Sequence, residues 1–228
     1  MTIITLKGTP MHTLGTLPAV GTQATDFTVT KVDLSEIKLK NYLGKKIILN
    51  IFPSLDTSTC ATAMLRFNKI ATQYKNTLIL CVSADLPFAQ QRFCAAQHIE
   101  NVVPVSVFRH PKFAESYGVL ITDGPLAGLL SRAVIIIDEI GNIIYAEQVM
   151  EISEEPQYDN ILDTLAAHDA SPVRQTMMML EEWKRNDAFR VAFRKNPNAA
   201  IKQYGFHCST EELAEFEAMV RCETSQHE

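Results

Sequence analysis

The rhythm of apolar and polar positions changes twice along this chain. Over residues 1–43 the two alternate in short bursts broken by turn residues, which predicts strands and hairpins at 2–6, 11–14, 26–32 and 37–39. An apolar run follows at 46–52 and reads as a strand. From 58 to 74 the spacing becomes three and four, placing Met64, Phe67, Ile70, Ala71 and Tyr74 on one face of a helix. Residues 77–83, Thr-Leu-Ile-Leu-Cys-Val-Ser, are continuously apolar, as in a strand covered on both faces of a sheet. Pro87 suits the first turn of a helix reaching about His98.

The pattern continues with a short strand near 102–107, a short helix at 112–117 ended by Gly118, and a buried strand at 132–137. A turn at 138–142 leads to a hairpin partner at 143–149, then a helix at 155–168. Strand-helix-strand order closed by a hairpin and a helix predicts an α/β sandwich with a mixed sheet, the order of a thioredoxin-like fold. Residues 167–172 read as a linker. Beyond it only helical spacing remains, near 173–185, 187–195, 198–204 and 210–222. Gly205 suits a helix end, and Ser209 with Glu212 forms a capping-box pattern. Two domains are expected, 1–166 α/β and 173–228 all-α.

Composition narrows the function classes. Hydrophobic residues make up 46% of the 228 positions, enough for a full core. A net charge of −5 without clustered Lys and Arg argues against nucleic acid or an anionic membrane surface as partner. The first residues lack the basic and apolar regions of a secretory signal, and no apolar run approaches the ~18 residues a bilayer span needs. A soluble, cytoplasmic protein is expected. Its five cysteines, Cys60, Cys81, Cys94, Cys208 and Cys222, are odd in number and widely spaced, unlike a secreted disulfide framework. No pair has CxxC spacing, and no His/Cys cluster has zinc spacing, so no metal is expected.

Cys60 carries the chemistry. It ends Pro53-Ser54-Leu55-Asp56-Thr57-Ser58-Thr59-Cys60, where a strand stops and a helix opens. Free amides and the helix dipole favour negative charge there, and the ionised sulfur is the nucleophile. Thiolate attack on a peroxide also needs donors for the reacting oxygens and a second thiol to reset the sulfenic acid. Arg132, at the start of a buried strand, is the candidate cation. The Thr57 hydroxyl and the Cys60 amide are candidate donors, and Pro53 would shield the sulfur from water. Cys94 is the candidate second thiol. Two helical cysteines must approach to within ~7 Å between Cα atoms to bond, so local unfolding of both segments is expected. From local features alone a structural role in the core is the preferred reading for Cys60, Cys94 and above all Cys81, and an ion pair at the surface or an interface is the preferred reading for Arg132. Asp56 reads as a turn or cap residue. His12, His98 and His110 read as surface groups without visible partners.

Residues 1 to about 165 resemble the bacterial thiol peroxidases, the atypical two-cysteine peroxiredoxins. The resemblance rests on Asn50-Ile51-Phe52-Pro53-Ser54-Leu55-Asp56-Thr57-x-x-Cys60 and Val82-Ser83-Ala84-Asp85-Leu86-Pro87-Phe88-Ala89-Gln90-x-Arg92-Phe93-Cys94. Tyr117-Gly118-Val119, Asp123-Gly124-Pro125-Leu126-x-Gly128-Leu129 and Arg132-Ala133-Val134 extend it. It implies a thioredoxin-like fold with an N-terminal hairpin, and a peroxidase acting on alkyl hydroperoxides and hydrogen peroxide. Cys60 would be the peroxidatic and Cys94 the resolving cysteine, joined as an intramolecular disulfide, with Thr57, Arg132 and Pro53 completing the site. Thioredoxin would supply the electrons, no cofactor would be bound, and the protein would form a homodimer. Phe88, Phe93 and the 124–129 loop would offer substrate or dimer surfaces. Ser58-Thr59 departs from the family, where a small residue or proline precedes valine. The helical tail resembles small modules found in the small subunit of extradiol dioxygenases and in leader regions of modified peptides. It reads as an accessory bundle. A peroxide sensor signalling through that tail is the alternative to an enzyme, while a disulfide reductase is disfavoured by the missing CxxC.

Overall fold

The computed structural model describes every residue except Lys75, Ala170, Ser171, His207 and 225–228; for 172–175, 211 and 222–224 it describes the backbone only. The strands are β1 (Ile3–Leu6), β2 (Thr9–His12), β3 (Thr28–Lys31), β4 (Glu36–Lys38), β5 (Lys46–Ile51), β6 (Thr77–Ser83), β7 (Val103–Ser106), β8 (Ala133–Ile137) and β9 (Ile143–Gln148). The helices are α1 (Ser58–Ala71), α2 (Pro87–Gln97), α3 (Lys112–Ser116), α4 (Tyr158–Asp169), α5 (Pro172–Arg185), α6 (Asp187–Lys195), α7 (Pro197–Gln203) and α8 (Thr210–Thr224). They form two compact units, Met1–Ile161 and Leu162–Glu228.

In the first unit β1 and β2 make a separate antiparallel ribbon, and the other seven strands form one mixed sheet in the order β4-β3-β7-β6-β5-β8-β9. β5 pairs in parallel with β6 and antiparallel with β8. Ile47, Leu49 and Ile51 enter one core with Leu80, Val82, Ile135 and Ile137. The intervening Ile48 and Asn50 are equally buried, so both faces of the central strands are covered. Phe27, Phe113 and Tyr117 pack ring against ring in that core, and the Tyr117 hydroxyl donates to the Thr25 carbonyl at 2.7 Å.

Several boundaries differ from the expected ones. α1 stops at Ala71 rather than at Tyr74, and its buried face is Cys60, Ala63, Met64 and Phe67. β8 begins at Ala133, leaving Arg132 just outside the strand. α4 starts at Tyr158, not at 155, and runs through Asp169. The expected linker at 167–172 is therefore helical at both ends, and its middle, Ala170 and Ser171, lies outside the described residues. His12 is not a lone surface group: its Nδ1 lies 2.6 Å from Asp123 Oδ2, and its backbone N–H also bonds that carboxylate, holding the Asp123 acid below its ordinary value. His110 Nε2 lies 3.3 Å from Glu36 Oε1.

The second unit is helical and has its own core, including Trp183, Phe189, Phe193, Ile201, Phe206 and Phe216. Its helix starts are capped by side chains. Asn186 accepts from the Phe189 amide, Asn196 from the Ala199 amide at 3.1 Å, and Ser209 Oγ from the Glu212 amide at 3.2 Å. Glu212 reaches back to the Ser209 amide, completing the capping box.

Candidate active site

β5 sets the position of Cys60. The ladder runs one residue past the strand, with the Phe52 N–H donating to Val82 O at 3.1 Å. Buried Pro53 then ends it, having no N–H to offer. The Thr57 amide donates to Ser54 O at 3.2 Å, which turns the chain, and Thr57 takes the N-cap position of α1 with extended dihedrals of −100° and 142°. Cys60 is thus the third residue of the helix, in the turn whose amides lack intrahelical acceptors. Its side chain is fully buried.

Two groups converge on Cys60 Sγ. Thr57 Oγ1 lies 2.7 Å away and also 3.1 Å from Ser54 O. A hydroxyl has one proton and two lone pairs. With a protonated thiol, S–H donates to Thr57 and Thr57 donates to the Ser54 carbonyl. With an ionised sulfur, the hydroxyl turns and donates to it. Arg132 Nη2 donates to the same sulfur at 3.3 Å, a charge-assisted bond once the sulfur is ionised.

Arg132 is a guanidinium only 2% exposed, which is costly unless well partnered. Its Nε donates to Ile152 O at 3.0 Å, and its Nη1 is buried without a hydrogen-bond partner among the described residues. Gln148 Nε2 and the Val149 amide both donate to the Arg132 carbonyl, at 2.7 and 2.9 Å. The segment holding Ile152 is itself tied down. Ile152 N–H donates to Thr5 O at 2.8 Å, and Thr59 Oγ1 donates to Ser153 O at 3.0 Å. The Glu151 carboxylate accepts from Ser153, Thr5 and the amides of Lys7 and Gly8. Those bonds, Ser153 first, hold its acid far below the usual carboxylate range.

Sheet order explains the convergence. Ile51, at the end of β5, pairs with Val82 on one side and Ala133 on the other. The residues just past β6 and just before β8 therefore flank the loop from Pro53 to Cys60. Arg132 arrives from the β8 side. From the β6 side comes Asp85, unremarked by sequence reasoning except as part of a longer motif. Its carboxylate accepts from Ser54 Oγ at 2.7 Å, the Leu55 amide at 2.8 Å and Ser83 Oγ at 2.9 Å.

Thr57 and Arg132 thus meet at Cys60 Sγ, and buried Pro53 opens the same loop. Cys94 lies in α2, half-buried, where burial pushes its thiol up to about 11. Cys81 is a buried core residue of β6; Asn50 Nδ2 donates to it at 3.5 Å, and burial pushes it up to about 12. Cys208 is half-buried in the second unit, and the side chain of Cys222 is outside the described residues. The four described cysteines all carry free thiols. Asp56 is exposed in the turn, where its amide donates to Ser54 Oγ at 3.2 Å. Phe88 is 62% exposed, Phe93 half-buried. Among the described residues no cluster of three or more His, Cys, Asp or Glu could hold a metal ion, and no helix is long and apolar enough to cross a membrane.

The first unit is similar to known proteins. The Redoxin family model matches residues 19–162. Thiol peroxidases of Mycobacterium tuberculosis and Mycobacterium bovis are 51% identical over 167 residues, which is 73% of this chain and 100% of theirs. Among solved structures, a peroxiredoxin-like protein from Aquifex aeolicus is 38% identical with a TM-score of 0.70, covering 73% of this chain and 97% of its own. A thiol peroxidase from Chromobacterium violaceum, at 21% identity and a TM-score of 0.67 over 72% of this chain and 95% of its own, shares the fold. The thioredoxin-like fold with an N-terminal strand pair is that of these structures. Because the family match spans residues 19–162, more than half of the chain, and the thiol peroxidases at 51% identity are matched over their whole length, this chain belongs to the Redoxin family, among its thiol peroxidases.

Proposed function

We propose that this thiol peroxidase reduces alkyl hydroperoxides and hydrogen peroxide at Cys60, with Cys94 as the resolving thiol. The Cys60 thiolate attacks the terminal peroxide oxygen. The S–O bond forms as the O–O bond breaks, the sulfur gives up two electrons, and the leaving alkoxide takes a proton to become the alcohol. Arg132 and Thr57 orient the sulfur, and the unpartnered Nη1 of Arg132 supplies a fixed donor for the oxygens as charge moves onto them. Pro53 closes the site against water. The Cys94 thiolate then attacks the sulfenic sulfur, a disulfide forms, and hydroxide leaves as water.

The observation that carries this reading is the meeting of Thr57 Oγ1 and Arg132 Nη2 on one buried sulfur, at 2.7 and 3.3 Å. Cys94 sits in an intact helix with burial raising its thiol to about 11, and opening of α2 would relieve that burial and free Cys94 to move toward Cys60. A thioredoxin-type dithiol then reduces the disulfide, and no bound cofactor takes part. That reductant, a homodimeric assembly and a cytoplasmic site follow from family resemblance alone.

The test is disulfide mapping by mass spectrometry after one equivalent of an alkyl hydroperoxide is added to fully reduced protein. A Cys60–Cys94 bridge within one chain is expected. A bridge from Cys60 to Cys208 or Cys222 would overturn the resolving role of Cys94, and thiols left unoxidised would overturn the peroxidase reading.

A further inference from the structure

We infer that Asp85 is a positioning residue, a latch that holds the Cys60 loop and the Cys94 helix ordered together and so sets the partition of oxidised Cys60 between disulfide and overoxidation. This rests on the roles proposed above for Cys60 and Cys94. The argument begins with the carboxylate. Asp85 lies between β6 and α2 and is acceptor-only when ionised, yet it receives donors from the Cys60 loop and from the end of β6, on which α2 is anchored through Gln90. Ser54 Oγ at 2.7 Å and the Leu55 amide at 2.8 Å belong to the loop before Cys60. Ser83 Oγ, at 2.9 Å, belongs to the strand that leads into α2.

Each end of the network reaches a reacting cysteine. On one side, the Ser54 held by Asp85 presents the carbonyl against which Thr57 Oγ1 rests at 3.1 Å, and that hydroxyl contacts Cys60 Sγ. On the other, Ser83 Oγ accepts from Gln90 Nε2 at 3.1 Å. Gln90 is fully buried, also donates to Val105 O at 2.9 Å, and lies one helical turn before Cys94 on the same face of α2. Bonds to a charged acceptor are stronger than neutral ones, so a single carboxylate dominates the link. Opening α2 pulls on Ser83 and Asp85, and opening the Cys60 loop pulls on the same group.

The chemical consequence is a choice between two fates of the Cys60 sulfenic acid. In the ordered site a second hydroperoxide transfers its oxygen to the sulfur, giving sulfinic acid and an alcohol. In the opened site Cys94 displaces hydroxide and the disulfide forms. The latch slows the second fate and preserves the geometry needed for the first.

The experiment treats reduced full-length protein with graded cumene hydroperoxide in the absence of reductant and measures the Cys60 sulfinic acid to Cys60–Cys94 disulfide ratio by intact mass. Asp85→Asn is expected to need about tenfold more hydroperoxide than wild type to reach the same ratio, the scale of one charged hydrogen bond. A folded Asp85→Asn protein with the wild-type ratio overturns the inference. Should Asp85→Asn not fold, Ser54→Ala removes one bond to the carboxylate and must shift the ratio the same way; an unchanged ratio there overturns it too. Ile135→Val, a core change outside this network, must lower the melting temperature without moving the ratio, and an equal shift would reduce Asp85 to a general stabiliser. Hydrogen exchange in the reduced protein reads the latch without the chemistry. Asp85→Asn should speed exchange in residues 54–60 and in α2 together, and acceleration of neither or only one overturns the coupling. If wild type forms no Cys60–Cys94 disulfide, the proposed resolving step fails, while the exchange result still decides the latch.

Discussion

Thr57 occupies the N-cap position of α1 without capping it: no side-chain bond to a helix amide forms, and the hydroxyl faces Cys60 Sγ instead. Helix stability is exchanged there for a group that serves both the protonated and the ionised sulfur. Thr57→Val, which keeps shape and loses the hydroxyl, should lower kcat/KM for hydroperoxide by about 10²-fold, the scale of removing one donor from a reacting centre. Thr57→Ser should retain most of the activity, and steady-state kinetics of the pair checks both. Cys94 offers a titration test. Its thiol, raised by burial from an ordinary 9.0 to about 11, should alkylate in the native protein at a rate that climbs with pH until about 11 and levels near 9 in denaturant. The sign for stability follows. Between those values the folded thiol keeps a proton that the unfolded one has lost, so the contribution is full below 9 and is lost as pH rises through 11. Iodoacetamide rates against pH check the first expectation, and an alkaline denaturation series with Cys94→Ser checks the second.

At the scale of elements, the turn after α3 and the helix α2 behave oppositely. Gly118 ends α3 with φ at +66°, and a Cβ there would lie 2.2 Å from Thr16 O. Gly118→Ala should therefore destabilise the first unit by about 2 kcal/mol or more, combining left-handed strain with a backbone clash. A lowered melting temperature with α/β circular dichroism retained checks it. α2 is less anchored: it buries Pro87 and Gln90 alone, while Phe88 lies open to solvent. Few buried apolar contacts make for low local stability. Amide exchange in α2 should therefore accelerate on oxidation by one equivalent of hydroperoxide, and a helix equally protected in both redox states would contradict opening during turnover.

At the scale of the whole molecule, the chain divides at Ile161/Leu162, and the relatives at 51% identity match 167 residues of it with their entire length. The helical unit has its own aromatic core and its own caps. A chain ending at Asp169 should thus keep peroxide turnover within about twofold, since it retains every residue placed at the site and the length matched by the relatives at 51% identity. Loss of turnover on truncation would give the tail a part in catalysis.

Much of this was legible in the chain because it is local. The strand-loop-helix around Cys60 follows from an apolar run, a proline and a change of period. Thr57 meets Cys60 because the first helical turn brings a residue three positions earlier alongside. The second unit's caps lie within three residues of what they cap, so Asn186, Asn196 and Ser209 act within their own sequence windows. Helix ends were less legible, since α1 stops at Ala71 although apolar spacing continues to Tyr74, and α4 starts at Tyr158 rather than at 155. Arg132 is legible as a cation at the start of a buried strand, but nothing local ties it to Cys60, 72 residues away. Asp85 carries no local signal of its role, because nothing near it in sequence indicates that Ser54 and Leu55 will face it. Only the placement of β5 between β6 and β8 brings both groups to the same loop. Sequence determined which residues could do the chemistry; the order and register of three strands decided which of them meet, because contacts across a sheet depend on pairing that no local pattern encodes.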